Sequence, residues 1–380
     1  MRLTTIRLRN FRNHTDSVFE FGNGTNLFLG DNGQGKTNVL EAISYLCLTK
    51  SFYASGDPVV LQIGAEFFEV EGVFILGADN ANTVRVAYDK QQADKAYFIA
   101  KKPIEPFSSI IGKFPLVICS PEHNPVTSGG PEERRRFCDF VISQASPVYF
   151  KALIEYRRAL KQRNKILLDA KLGNTDPSHL LESWDEQLIQ LGSVLIHRRK
   201  KFFDGFREIL SSTYHHLIGE EEEPEIIYEP FTEPWSSEKE CSDLLRAGLM
   251  QSRREEARVG STLVGPHRDE FVFKINGLDL RKYGSQGQHK TFLVGLKLGE
   301  FFYLKNLCNE TPLLLLDDIF SELDEHRSER LLEFVGTISQ TFITSTSIKW
   351  FEPFIEYGDH NKQFVIRNGA VAAQEHMVAA

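Results

Sequence analysis

The chain of 380 residues is 41% hydrophobic and 25% charged, which is enough for a sizeable core and predicts a globular protein of two domains. No apolar run is long enough to span a membrane, and the charges in residues 1–12 are unlike a signal peptide, so we expect a cytoplasmic protein without a membrane partner. Five scattered cysteines suggest neither a disulfide framework nor a zinc site, and the net charge of -8 excludes a uniformly basic surface, so any contact with nucleic acid must be local.

The first predicted elements are short strands at 3–8, 18–21 and 25–29, and the last of them leads into a glycine-rich loop. The loop has the G-x-x-x-x-G-K-T spacing of a P-loop and precedes a predicted helix at 37–48, which predicts binding of a nucleoside triphosphate. Lys36 is expected to neutralise the β- and γ-phosphates, and the Thr37 hydroxyl to bind Mg²⁺. The predicted nucleotide-binding residues of this loop are Gly30, Asp31, Asn32, Gly33, Gln34, Gly35, Lys36 and Thr37.

A strand pattern continues to residue 120, and a helical pattern replaces it after Ser146. Runs at 67–73, 84–88 and 97–99 predict an antiparallel meander, and 114–120 a buried strand. Apolar residues at near-heptad spacing from 153 to 167 and from 181 to 195 predict two long helices that pack against each other, and 238–258 predicts one more. We therefore expect an α/β fold, with an all-helical domain at 146–258 inserted between two parts of a P-loop head, at 1–145 and 259–380.

A second part of the nucleotide site is predicted where the apolar strand at 313–316 ends in Asp317 and Asp318. With the P-loop, these carboxylates suit ATP hydrolysis: Asp317 is expected to hold Mg²⁺ through water, and Asp318 to orient or deprotonate the attacking water. The predicted catalytic residues are therefore Lys36 and Asp318, and the predicted metal-binding residues are Thr37 and Asp317.

Another glycine between polar residues precedes a predicted helix at 290–302, in the tetrapeptide Ser285, Gln286, Gly287 and Gln288. Helix N-termini attract anions, so this loop is a second candidate for phosphate binding. It is either an ordinary helix cap or a loop that contacts a nucleotide bound on another subunit, since one chain rarely needs two γ-phosphate sites. The second alternative predicts a homodimer that encloses two ATP molecules.

The order of these motifs resembles that of ABC ATPases, with 285–288 as the signature and Ser321 and Asp324 in the D-loop. The helical insertion between P-loop and signature resembles the SMC-like branch. Within that branch the chain resembles the RecF family, on motifs at 8–13, 30–37, 120–122, 133–137, 265–269 and 285–288. The resemblance implies a head of the ABC type, with a mixed sheet and an antiparallel β part, and it adds Arg12 and Asn13 to the nucleotide site.

Membership of this family would imply a slow ATPase that forms an ATP-dependent dimer and grips DNA at junctions of single and double strands. It would also imply cooperation with RecR and RecO in loading RecA. Two alternatives stay open from the residues: an ABC head that drives a different, membrane-bound partner, and a non-catalytic scaffold that senses nucleotide. The size and the basic faces of the insertion disfavour the membrane-bound partner.

Basic residues concentrate in and next to the predicted insertion, and they are the candidates for contact with DNA phosphates. Contacts of this kind are weakly sequence-selective and sensitive to salt. Each cluster also has a plainer interpretation as a solvated helix face. The candidate DNA-binding residues are Arg134, Arg135, Arg136, Arg157, Lys161, Arg198 and Lys201.

Overall fold

The computed structural model describes residues 1–77, 80–173, 176–219, 221–231, 234–338, 340–349, 351 and 360–375. The chain forms two compact units. Unit 1 contains Met1–Asn124, Thr213–Glu221 and Gln286–Ala380, and unit 2 contains Pro125–Ser212 and Glu222–Ser285.

The described chain begins with three strands, and its longest helices lie in the middle. The strands are β1 (Arg2–Phe11), β2 (His14–Glu20), β3 (Thr25–Leu29), β4 (Phe67–Leu76), β5 (Asn80–Asp89), β6 (Asp94–Ile99), β7 (Lys102–Pro103), β8 (Leu116–Cys119), β9 (Pro224–Glu229), β10 (Glu270–Ile275), β11 (Leu278–Asp279), β12 (Leu313–Asp317), β13 (Thr341–Ser345), β14 (Lys362–Arg367) and β15 (Ala370–Glu375). The helices are α1 (Lys36–Leu48), α2 (Asp57–Val60), α3 (Pro125–Ser128), α4 (Pro131–Ala145), α5 (Pro147–Gly173), α6 (Ser178–Ile218), α7 (Glu238–Val259), α8 (Leu280–Tyr283), α9 (Gln286–Leu307) and α10 (Glu325–Ile338). No helix in these described ranges is both long and apolar enough to cross a bilayer.

Unit 1 combines an antiparallel sheet with a mixed sheet. The antiparallel sheet has the strand order β2-β1-β4-β5-β6-β7, and the mixed sheet has the order β15-β14-β3-β13-β12-β8. Strands β14, β3, β13, β12 and β8 run parallel to their neighbours, and β15 pairs antiparallel with β14. The predicted α/β head with a mixed sheet and an antiparallel part is confirmed.

Phenylalanine side chains pack between the strands of unit 1. Phe19 on β2 lies 5.9 Å from Phe28 on β3 and 5.6 Å from Phe364 on β14, measured between ring centroids. Phe21, just after β2, lies 4.9 Å from Phe342 on β13. Edge-to-face and stacked pairs of this kind contribute about 0.5–1.5 kcal/mol each beyond their buried area. They fix the position of β3, which leads directly into the glycine-rich loop.

Unit 2 is built on the long helices α5 and α6, as the apolar spacing predicts. The stripe residues Leu153 and Tyr156 on α5 and Leu188 and Leu195 on α6 are buried. Buried polar contacts also join the two helices, because Arg163 on α5 donates to the Asp185 carboxylate on α6 at 2.7 Å. The amphipathic pattern therefore identified a helical core.

The insertion differs from the prediction in containing a sheet. Strand β9 pairs antiparallel with β10, and β11 pairs with the other edge of β10. Residues 224–229 lie within the predicted all-helical range. The segment is acidic and contains prolines, and its apolar run is too short to show the period of two that indicates a strand. Pro224 and Ile226 of that strand are buried, and Ile227 is half-buried.

The bounds of unit 2 also differ from the predicted insertion at 146–258. Helix α4 belongs to unit 2, because Arg134 on α4 donates to Glu270 and Asp139 on α4 accepts from Arg199. These partners lie on β10 and α6, which are distant from α4 in the sequence. The boundary of unit 2 therefore has no signal in the local composition or periodicity. Whether 146–258 is a separate domain stays a prediction.

Candidate nucleotide-binding site

The glycine-rich loop joins the buried strand β3 to α1, as predicted. Gly30 has φ +153° and Gly35 has φ +108°, both in the region that side chains disfavour. A Cβ atom on residue 30 would lie 2.5 Å from the carbonyl oxygen of Ile366 on β14. Glycine is therefore required at residue 30 for both conformation and space, and the loop ends at the N-terminus of α1, where backbone N–H groups suit a phosphate.

Lys36 lies at the start of α1 with its side chain turned onto the loop. Its Nζ donates to the carbonyl oxygens of Gly30 at 2.6 Å and Asp31 at 2.9 Å, and the residue is only 7% exposed. Burial lowers the pKa of the Lys36 ammonium, while the charges of Asp318, Asp317 and Asp31 act to raise it. The Lys36 ammonium therefore contacts the loop that would hold a phosphate.

Asp317 is brought to the P-loop by the strand order β3-β13-β12. The carboxyl ends of parallel neighbours meet at one edge of a sheet, which is where such folds bind ligands. Asp317 Oδ1 accepts a hydrogen bond from the Thr37 hydroxyl at 2.8 Å. Burial is the main cause that raises the pKa of the Asp317 carboxyl, and the hydrogen bonds from Thr344 and Thr37 oppose it. The two residues predicted to bind Mg²⁺ thus lie within hydrogen-bonding distance of each other, and metal binding by them stays a prediction.

Thr344 on β13 joins the two aspartates and was not among the predicted site residues. Its hydroxyl donates to Asp317 Oδ1 at 2.7 Å and accepts from the backbone N–H of Asp318 at 2.9 Å. In the sheet, Thr344 is the register partner of Asp317. A threonine in the strand at 341–345 was the available signal, but the adjacency of β12 and β13 cannot be read from the sequence.

Asp318 turns the chain away from β12. Its φ of +51° and ψ of +27° are left-handed, a conformation that costs a residue with a side chain on the order of 1–3 kcal/mol. The bond from its N–H to Thr344 and the bond from the Ser321 hydroxyl to its carbonyl oxygen, at 2.8 Å, hold this conformation. Among the carboxylates that raise the Lys36 pKa, Asp318 has the largest influence, so its charge belongs to the same site.

Two hairpin turns hold the loop in place. From the β1–β2 turn, Asn13 Nδ2 donates to the Gln34 carbonyl oxygen at 3.0 Å, and the His14 ring contacts the Gly35 carbonyl oxygen at 3.1 Å. From the β14–β15 turn, the Gly369 N–H donates to the same Gln34 oxygen at 2.9 Å. Asn13, which was predicted to lie at the nucleotide site, thus contacts the P-loop. The contacts of His14 and Gly369 to the loop were not predicted.

The arrangement can do three things chemically. Backbone N–H groups at the start of α1 and the Lys36 ammonium can bind phosphate oxygens, the Thr37 and Asp317 oxygens can bind a hard divalent cation, and Asp318 can accept a proton. This is the composition of a site for nucleoside triphosphate hydrolysis.

Relatives of known description match nearly the whole chain. A protein from Salinibacter ruber described as DNA replication and repair protein RecF is 41% identical over 98% of this chain and 92% of its own. A protein of the same description from Chloroherpeton thalassium is 43% identical over 92% of this chain and 96% of its own. The chain belongs to the RecF family. A family model described as an AAA domain matches residues 5–209.

Solved structures agree with this RecF assignment. A structure of the recombination mediator protein RecF with ATPrS, in the RecFOR pathway, has a TM-score of 0.88 and 33% identity and covers 97% of both chains. A structure of RecF with ATP has the same TM-score at 32% identity and covers 99% of this chain and 97% of that one. An SMC head bound to the C-winged helix domain of ScpA, with a TM-score of 0.57 and 12% identity over 99% and 98%, shares the fold.

Arg12, which the RecF resemblance adds to the nucleotide site, is engaged elsewhere. Its guanidinium donates to both oxygens of the buried Glu41 on α1, at 2.8 and 2.9 Å, and to the carbonyl oxygen of Val59. These bonds raise the pKa of Arg12, chiefly through the Glu41 hydrogen bond. The structure therefore uses Arg12 to tie β1 to the P-loop helix, and a direct contact with nucleotide stays a prediction.

The signature candidate 285–288 lies at the start of α9. Helix α9 begins at Gln286, and the Ser285 and Gln286 side chains are exposed. The carbonyl oxygen of Gly287 accepts from the Thr291 hydroxyl at 2.9 Å, a bond from a threonine to the carbonyl four residues earlier that is ordinary within helices. Both alternatives for this RecF-family tetrapeptide, a cap and a contact to a second subunit, are compatible with that position.

The D-loop candidates stabilise the chain between β12 and α10. The Ser321 hydroxyl donates to the Asp318 carbonyl oxygen, and Asp324 Oδ1 accepts from the Arg327 backbone N–H at 2.9 Å. Asp324 thus accepts from a backbone N–H in the first turn of α10. A role for either residue across a dimer interface stays a prediction.

Two of the basic candidates are committed to bonds within unit 2. Arg134 is 5% exposed and donates twice to Glu270 Oε1, at 3.0 and 2.9 Å. Arg135 is half-buried and donates to the carbonyl oxygen of Asp269 at 2.7 Å. Arg134 is therefore unsuited to contact DNA, because it already satisfies a partly buried carboxylate.

The remaining basic candidates reach the surface to different degrees. Lys161 and Lys201 are exposed, and so are Arg136 and Arg157, although these two arginines pair with nearby carboxylates. Arg198 is half-buried and donates to the Ser146 hydroxyl at 3.1 Å. The exposed members keep the predicted ability to contact phosphates, which stays a prediction.

Proposed function

We propose that this RecF-family chain binds ATP with Mg²⁺ and hydrolyses it slowly, so that the bound nucleotide times the life of a homodimer on DNA. The dimer grips junctions of single- and double-stranded DNA in the cytoplasm and acts with RecR and RecO to load RecA. The relatives described as replication and repair proteins, and the RecF structures with ATP and ATPrS in the RecFOR pathway, support this proposal.

One observation carries the ATP-binding part of the proposal: Thr37, at the P-loop, donates to Asp317, at the end of β12. Residues 280 positions apart in the chain are joined at the edge where the parallel strands end. A chance glycine-rich turn would have no reason to meet a buried carboxylate there.

The oxygen donors present fit Mg²⁺, which prefers one or two carboxylates together with hydroxyl, water and phosphate oxygens. Thr37 and Asp317 would hold it. When bound, Mg²⁺ supplies positive charge that offsets the charge of the β- and γ-phosphates. Its positive charge would also stabilise the ionised Asp317 carboxylate, whose pKa is raised by burial.

The chain's own residues divide the remaining work. Lys36 binds phosphate oxygens from the start of α1, which holds the γ-phosphate in place. Asp318 orients the attacking water and accepts its proton, and the bonds of Asp318 to Thr344 and Ser321 fix its backbone. Slow turnover fits a switch in which ATP binding, rather than ATP hydrolysis, drives formation of the homodimer.

The homodimer part rests on the exposed start of α9. If Ser285 to Gln288 contact the γ-phosphate of a nucleotide on the other subunit, ATP binds the dimer more tightly than the monomer. The monomer–dimer equilibrium then shifts by that difference in affinity. ADP lacks the γ-phosphate and would not support the contact.

Binding to gapped and to blunt duplex DNA, with and without ATP, at two salt concentrations tests the DNA part. The proposal predicts tighter binding to gapped DNA in the presence of ATP. It also predicts weakening with salt, at about 0.9 in the log-log slope for each phosphate contacted. Equal binding of the two DNAs, unaffected by ATP, would overturn it.

A further inference from the structure

Unit 2 contains a cavity that none of the ATP-site residues enters. It has a volume of about 320 Å³ and lies among α4, α5, α6 and the turn at Pro266 and His267. That volume is at the lower end of the range of about 300–1,000 Å³ in which small ligands bind. A single phosphate group would fill only a small part of it.

One wall of the cavity is cationic. Arg135 contributes a half-buried guanidinium, and in the described part of the chain no carboxylate lies within 4.0 Å of it. Burial and the nearby charge of Arg199 lower the pKa of Arg135, although the charges of Glu270, Asp269 and Asp139 act to raise it. Arg136 and Arg157 stand on the same wall, 64% and 61% exposed.

Acidic neighbours compensate this wall only in part. Arg136 pairs with Glu132 and Glu133 on its own helix, in exposed pairs of little strength. Arg157 shares Asp139 with the buried Arg199. Arg199 also pairs with Asp269, which does not line the cavity. The lining itself contains four arginines and two carboxylates, Glu132 and Asp139, so it carries an excess of positive charge.

Another part of the lining, the apolar wall, is formed by Leu153 and Leu160 on α5, Leu195 on α6 and Pro266. Tyr156 and His267 also line the cavity, and a hydrogen bond of 2.8 Å joins the Tyr156 hydroxyl and His267 Nδ1. Burial lowers the pKa of His267 to about 4, so its ring is neutral at physiological pH and adds no charge to this wall. The cavity thus combines apolar side chains with a group of guanidinium groups.

A basic stripe continues from the cavity along α5. Arg157, Lys161 and Lys165 recur every four residues and are exposed, so they share one face of the helix. A ligand bound in the cavity with a phosphodiester chain attached would have cations along its path. This favours a nucleic-acid strand over an isolated small anion as the larger ligand.

We propose that the cavity binds one nucleoside 5′-phosphate unit, with the base against Leu153 and Leu160 and the phosphate on Arg135, Arg136 and Arg157. A terminal phosphate has a second negative charge, which suits three arginines better than a diester does. The unit is either the end of a DNA strand or a free mononucleotide. The first source rests on the proposed function, because it requires the chain to bind DNA.

Calorimetric titration with thymidine 5′-monophosphate tests the shared chemistry. Every protein in this titration carries Lys36→Ala, which removes phosphate binding at the P-loop. Arg157→Gln removes one cation, and Leu160→Trp fills the apolar wall without changing charge. Arg246→Gln is the matched control, because Arg246 is an exposed arginine of α7 that pairs with Glu186 outside the cavity. We expect affinity to fall at least about tenfold in the first two variants and to stay unchanged in the third.

Single strands labelled at the 3′ end distinguish the two sources. A 5′-phosphorylated strand that binds about tenfold more tightly than the 5′-hydroxyl strand, with the preference lost in Arg157→Gln and Leu160→Trp, assigns the cavity to strand ends. Mononucleotide binding without that preference assigns it to free nucleotide. Absence of both, or variants that bind like the control, would overturn the cavity assignment. If ATP-dependent dimerisation and gapped-DNA binding persist in that case, the proposed function is unaffected.

Discussion

Thr344 controls both aspartates at the end of β12 through one hydroxyl group. The hydroxyl donates to Asp317 and accepts from the Asp318 N–H, so its orientation is fixed from two sides. The sequence predicted Lys36 and Thr37 from the spacing of the P-loop, and Asp317 and Asp318 from their position at the end of an apolar strand. It could not identify Thr344, because that residue acquires its role from a strand pairing rather than from a motif.

Replacing Thr344 by valine keeps the side-chain volume and removes the hydroxyl. We expect a loss of stability of about 1–3 kcal/mol, the usual effect of leaving a buried partner of a charged group unsatisfied. Turnover of ATP should fall about 10- to 100-fold, as for other residues that orient metal-binding carboxylates. Urea unfolding and steady-state ATPase assays measure the two effects.

Thr346→Val is the control for that substitution, because Thr346 follows the same strand and is exposed. Its stability and turnover should match the wild type. A Thr344→Val protein with unchanged turnover would remove Thr344 from the account of the site.

The buried Asp317 carboxyl predicts an unusual pH dependence of stability in the absence of nucleotide and Mg²⁺. Burial raises its folded-state pKa above the 3.8 of an exposed aspartate. Its stabilising contribution is therefore complete below pH 3.8 and is lost as the pH rises through the folded-state pKa. Asp317→Asn keeps an acceptor oxygen and stays neutral, so the variant should gain unfolding free energy over the wild type as the pH rises.

Urea unfolding between pH 4 and 8, in buffer with a chelator, measures this difference. The two proteins should be nearly equal in stability at the acidic end. A wild-type protein that is more stable than Asp317→Asn at neutral pH would show that the site already compensates the carboxylate without a metal.

At the scale of elements, the β14–β15 hairpin fixes the P-loop. The segment from residue 369 onwards reads as a loose tail in the sequence, because it is small and polar. In the structure, residues 370–375 form β15 on the edge of the mixed sheet, and the Gly369 turn bonds to Gln34; residues 376–380 lie outside the described residues. A strand of small residues carries little apolar pattern, so pairing with β14 was not predictable.

Gly369→Ala should disturb the P-loop, although residue 369 is far from the loop in the sequence. Gly369 has φ +71°, and a Cβ atom there would lie 2.0 Å from the Asn13 carbonyl oxygen. The turn must move, and with it the contacts to Gln34, so we expect ATP affinity to fall about tenfold while the fold is retained. Equilibrium binding of a fluorescent ATP analogue measures the loss.

Gly277→Ala is the control, because it introduces backbone strain without altering a contact to the P-loop. Gly277 also has a positive φ, of +76°, but a Cβ atom there would meet nothing within 4 Å. This variant should lose stability through backbone strain alone and keep its ATP affinity. Equal affinities of the two alanine variants would show that the hairpin does not support the P-loop.

At the scale of the whole molecule, the sequence predicted a head with an insertion but not the internal structure of the insertion. Helix spacing identified α5 and α6 because amphipathic stripes are long and local. Strand β9 and the inclusion of α4 in unit 2 depend on partners distant in sequence, such as β10 and Arg199. For the same reason the sequence could not distinguish buried from exposed basic residues. Arg134 donates to Glu270 within unit 2, whereas Lys161 is exposed.

The signature candidate makes a prediction about assembly. Ser285→Arg should leave ATP binding intact, since Ser285 lies outside the P-loop site, and should prevent dimerisation by placing a long side chain where a second subunit would approach. Leu278→Arg adds the same side chain at an exposed position of β11 and should still dimerise. Equal dimerisation of both variants would make 285–288 an ordinary helix cap.

Sedimentation velocity of the Asp318→Asn protein with ATP, with ADP and without nucleotide tests the central claim most directly. We expect the substitution to slow hydrolysis, so that the ATP-bound state persists during the run. We predict a dimer with saturating ATP and a monomer in the other two conditions. A monomer in all three conditions, with ATP binding confirmed on the same sample, would contradict a nucleotide site that is completed by a second subunit.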